Sequence, residues 1–64
     1  MTQTQDMRAL RIAEAVREAC LREARAGFEQ AAMSGLCQEG AMENALGAIQ
    51  MLNLETVLAE LESG

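Results

Sequence analysis

The sequence predicts an all-α protein: a long helix, a tight corner, a shorter helix and a short C-terminal amphipathic helix, forming a helical hairpin or bundle that is dimeric. Three observations carry that expectation. Ala, Glu, Leu, Arg, Met and Gln dominate the chain, a mix that favours helix. There is no proline, and no window alternates apolar and polar residues for long enough to make a strand. Apolar residues instead recur at three- and four-residue spacing.

The first helix is expected from about Gln5 to Met33, with Thr4 as its cap and Asp6 at its positive end. At roughly 100° per residue, Leu10, Ala13, Val16, Cys20, Leu21, Ala24, Gly27, Phe28 and Ala31 fall on one stripe. Arg8, Arg11, Glu14, Glu18, Arg22, Arg25 and Glu29 occupy the opposite face, with Glu18 and Arg22 spaced as an i,i+4 ion pair. Small residues in the stripe invite close approach of another helix, which would account for Gly27 inside a helix.

The pattern loses phase after Met33. Gly35 suits a left-handed helix stop, with Leu36 folding back over it. Gly40 is then expected to cap the next helix, with Glu43 in its first turn. Ala41, Met42, Ala45, Leu46, Ala48, Ile49 and Leu52 share one face of that second helix. Asn53 can end it or cap the last segment, and a turn or kink is expected there. Leu54, Val57, Leu58 and Leu61 mark that segment as amphipathic, at i, i+3, i+4, i+7.

Sixty-four residues make one domain at most, so residues 1–64 are read as a single small helical domain. Alanine supplies much of the apolar content and Phe28 is the lone aromatic, so the core is thin. A thin core at this length needs a staple, a metal or a second chain. There is no His, and Cys20 and Cys37 lack CxxC spacing, so neither a metal nor a cofactor is expected. A Cys20–Cys37 disulfide stays open, but two cysteines do not make a secreted framework. With no apolar leader in MTQTQDMRAL and no long apolar run, a cytoplasmic protein with reduced thiols and no membrane partner is expected. Arginine without lysine, beside abundant alanine, suggests a bacterial source.

The net charge of −5 is unevenly spread. Residues 1–25 hold five Arg against Asp6, Glu14, Glu18 and Glu23, a net of +1; residues 26–64 hold six Glu and no base, a net of −6. The two halves should attract, within a chain or between chains.

The segment GAMENALGAIQML resembles the second helix of a tetratricopeptide repeat: Gly40 opens it, and Ala45 and Ile49 stand at that repeat's spacing. The likeness spans 13 residues and implies a helical hairpin.

Chemistry is sparse. Cys37 precedes a helix N-terminus, where a thiolate is favoured in general, so a reactive or redox-sensing thiol is one reading. The other is a small residue packed under a corner, since no His stands as base and no resolving cysteine is near. Cys20 reads as packing. Arg17 interrupts the apolar stripe, either snorkelling beside Glu14 or pairing with a Glu of the acidic half across a helix or subunit boundary. The arginine row could suggest phosphate contacts, but interleaved Glu residues and the lack of stacking aromatics make nucleic acid an unfavoured partner. Met33, Leu36, Met51 and Ile12 lie off the stripes and suit an adaptable docking surface, or packing in the dimer or under the tail helix. No phosphate loop, nucleophile elbow or metalloprotease motif occurs, and no enzyme activity is expected.

The function expected is therefore a small helical protein–protein interaction module, self-associating and bound to a protein partner in a regulatory or accessory role. The candidate interface is Leu10, Ala13, Arg17, Cys20, Ala24, Phe28, Ala31, Leu36 and Met51. The rivals are a thiol-based redox switch centred on Cys37 and a nucleic-acid-binding dimer using the arginine face.

Overall fold

The computed structural model describes residues 3–63, with side chains from Met7 onward. Three helices follow in order: α1 (Gln3–Met33), α2 (Gln38–Gln50) and α3 (Leu54–Ser63). Thirty-one residues give α1 a length of about 46 Å, which sets the 49 Å long axis of the molecule. α2 and α3 pack on α1 one after the other, and not on each other. None of the described helices is long and apolar enough to cross a membrane.

α1 begins two residues before the expected start, which corrects the Thr4 cap by placing Thr4 inside the helix; the Asp6 charge lies outside the described side chains. Its end is a Schellman stop. Leu36 N–H donates to the Ala31 carbonyl at 3.0 Å, Gly35 N–H donates to Ala32 at 3.1 Å, and Gly35 has φ +90°. That left-handed residue is the one expected from sequence. The expected cap at Gly40 is corrected. α2 starts at Gln38 and its N-cap is Cys37, in extended geometry (φ −70°, ψ 169°), with Ala41 N–H donating to the Cys37 carbonyl at 2.9 Å. Gly40 stands inside the first turn instead. The Leu36 side chain folds onto it, 3.3 Å from where a Cβ would be, so its bareness makes room rather than caps.

At the other end of α2, Met51 N–H donates to Gly47 and Leu52 N–H to Ile49. Asn53 then caps α3: its Oδ1 accepts from Thr56 N–H at 3.1 Å. The chain therefore turns at Asn53, and the last two segments are separate helices.

The interior is made of alanine. Ala19, Ala31, Ala41, Ala45 and Val57 are the buried apolar residues, at 1–7% exposure, and no large side chain is fully buried among the described residues. Such a core works by bringing backbones close. A Cβ on Gly27 would stand 3.2 Å from Ala48 Cβ and 3.2 Å from the Asn44 carbonyl oxygen, so close packing accounts for this glycine, as its place in the small-residue stripe suggested. Asn44 fastens the contact, its Nδ2 donating to the Gly27 carbonyl at 2.7 Å. Beyond α2, Val57 and Leu61 of α3 lie over Ala15 and Ala19, and Leu58 and Leu61 lie beside Ile12.

The expected α1 stripe is rotated. Ala19, outside it, is buried, while Leu10, Ala13 and Leu21 are exposed. Only the smallest side chains fit beneath α2, so the bulky ones are turned away. The expected faces of α2 and α3 narrow in the same way: Met42, Leu46, Leu54 and Leu58 are exposed. The expected Glu18–Arg22 pair is also corrected. The ion pair found among the described residues joins Arg22 Nε to Glu23 Oε2 at 3.9 Å. Exposed pairs gain little over hydration, so spacing alone does not hold them together.

Candidate functional site: an uncovered apolar face

α1 is a rod covered on two sides and open on a third. Gly27 and Ala31 point at α2. By the 100° helical step, Ile12, Ala15 and Ala19 turn to one side, where α3 lies. The same step turns Leu10, Ala13, Arg17, Leu21, Ala24 and Phe28 to the other side, where no described element of the chain lies. On the returning helix α2, Met42, Leu46 and Ile49 turn the same way as Phe28. Leu10, Leu21, Met42 and Leu46 are each 52–58% exposed, and Ala24, Phe28 and Ile49 are half-buried. The result is an apolar surface about 27 Å long from Leu10 to Phe28, broadened by α2 at its corner end.

The expected interface residues divide. Leu10, Ala13, Arg17, Cys20, Ala24 and Phe28 come together on or at the edge of this face. Ala31 is buried under α2, Leu36 is held in the corner, and Met51 is an exposed C-cap on another side. Leu21, Met42 and Leu46 belong to the face and were grouped with inward-facing residues by periodicity. Asn44 escaped notice, although a polar amide inside a short helix is itself a signal.

Arg17 is exposed and, among the described residues, has no carboxylate within ion-pairing distance. Cys20 and Cys37 are both free thiols, the first half-buried and the second exposed. Among the described residues no group of three His, Cys, Asp or Glu is placed to hold a metal ion. The hollow between α1 and α3, lined by Arg8, Arg11, Ile12, Leu58, Leu61 and Glu62, sets acid beside base and presents no uniform anion site. What the surface offers is apolar contact bordered by alternating charge. No protein-family model, curated protein or solved structure matches this chain.

Proposed function

We propose that the chain is a small helical interaction module that associates with itself and docks a protein partner, as a regulator or accessory subunit in the bacterial cytoplasm. The observation that carries this reading is the inversion of its packing, with alanine inside and leucine and methionine outside. The area supports it. The chain exposes 5352 Å², against about 4,000 Å² for a compact monomer of 6.9 kDa. The excess is of the order that one partner loses in a standard interface. Cysteine usage and the arginine-for-lysine composition support the compartment and source.

Sedimentation over a hundredfold concentration range, with and without reductant, tests this. A reductant-independent dimer is expected, and Ala24→Glu should dissociate it while helicity persists. A native chain that stays monomeric throughout would overturn the self-association. The exposed Cys37 supports a second reading, a thiol switch; it requires reaction with a thiol reagent far faster than a free thiol, and ordinary reactivity removes it.

A further inference from the structure

We propose that the second copy seats on this face antiparallel to the first, α1 against α1, with the two-fold axis crossing the face at the level of Ala19 and Cys20 along the helix. The proposal rests on the self-association reading and specifies its geometry. Two independent features of α1 give the same centre. The apolar face runs from Leu10 to Phe28, and its midpoint is Ala19. Along its outer border runs a single row of exposed charges: Arg11, Glu14, Glu18, Arg22, Arg25 and Glu29. Their steps of three and four residues keep all six on one line of the helix.

Read backwards, that row has the opposite charge at every place. Two-fold antiparallel pairing therefore sets Arg11 against Glu29, Glu14 against Arg25 and Glu18 against Arg22 of the other copy, and each pair again in reverse. The centres of these three pairs fall at Ala19 and Cys20, where the apolar face is also centred. Antiparallel helices bring like flanks together, as in the side positions of a coiled coil, so the two charged rows meet along one edge. Parallel two-fold pairing would leave the two rows on opposite edges of the dimer, where neither meets an opposite charge of the other. Among the described residues the row makes one ion pair within its own chain, Arg22 to Glu23 at 3.9 Å, while Arg11 and Arg22 also line hollows shared with Glu62 and Glu60 of α3.

Packing agrees with the charges. α2 flanks only the corner half of α1, so Met42 and Leu46 broaden the face beside Phe28 at one end. The other end, around Leu10 and Ala13, is a bare ridge. Turning one copy end for end lays each ridge against the other's broad end. The surface is complementary to itself, which a foreign partner would not require.

Charge exchange at one pair tests the geometry by sedimentation at low ionic strength. Arg25→Glu alone and Glu14→Arg alone should each weaken the dimer about tenfold, since each places like charges together twice per dimer. The double variant should return to within about twofold of the native chain. An equimolar mixture of the two single variants should recover association that neither shows alone, because the mixed dimer has both pairs opposite in charge. Unchanged circular dichroism keeps these effects apart from misfolding. Single variants as tight as the native dimer, or a mixture no tighter than its components, would overturn antiparallel pairing while leaving self-association standing. A native chain that never dimerises would overturn both.

Discussion

Gly27 and Gly47 are both helical glycines, yet the same substitution should move stability in opposite directions. Gly→Ala in a helix interior gains about 1 kcal/mol of propensity. At Gly47 a new Cβ meets nothing within 4 Å, so the full gain of about 1 kcal/mol is expected there. At Gly27 the new methyl meets Ala48 Cβ and the Asn44 carbonyl oxygen, both at 3.2 Å. Two packed helices must then move apart by a few tenths of an ångström, along an interface that has little except closeness to hold it. Overpacking of this kind costs about 1–3 kcal/mol. The 2.7 Å bond from Asn44 to the Gly27 carbonyl lengthens with it, at a cost of up to about 1 kcal/mol. Gly27→Ala should therefore lose up to about 3 kcal/mol net, centred on about 1.5 kcal/mol. At about 4–8 °C per kcal/mol for a domain this small, the two variants should melt about 10–20 °C apart at that centre. Thermal unfolding by circular dichroism reads this directly, at one fixed protein concentration so that any association contributes equally to both. A Gly27→Ala protein that melts at or above the native temperature would refute the idea that bare backbone sets the α1–α2 distance.

Three further substitutions probe the joints. Cys37 caps α2 without any side-chain hydrogen bond, so Cys37→Ser should supply the missing acceptor and stabilise by about 0.5–1 kcal/mol, seen as a higher melting temperature. Asn53→Ala removes the acceptor for Thr56 N–H and should cost about 1 kcal/mol, with loss of amide protection concentrated in α3. Val57 is the largest buried side chain of the core, and Val57→Ala should cost about 1–3 kcal/mol by denaturant titration, releasing α3 before the α1–α2 hairpin.

The joints of this fold were legible because backbone chemistry marks them. Gly35 occupies a left-handed position that other residues resist, and Asn53 offers an acceptor to a helix start. Both stand out in a chain of strong helix formers. Gly40 misled for a related reason: it suits a cap, but a neighbouring leucine needed the room. The rotation of α1 was not legible. Eight alanines are spread around that helix, and they weigh the same on every side. Leu10, Leu21 and Phe28 therefore fixed the apparent phase, whereas the choice of inner face was made by size, through Ala19, Gly27 and Ala31. The candidate site was read in part for the same reason. Its bulky residues were found on one line, but their turning away from α2 depends on which side chains are small enough to sit beneath it.

An interior of alanine also shapes how such a chain can vary. In an ordinary core a random replacement tends to leave a hole, and neighbours can relax part of the way into it. Here nearly every replacement at Ala31, Ala41 or Ala45 is an enlargement, with no slack to absorb it. Mutational tolerance should then be lopsided: serine or glycine accepted inside at modest cost, larger residues refused there whatever their hydrophobicity, and bulky apolar residues exchanged freely only on the outer face. Polarity, the usual divide between inside and outside, gives way to volume.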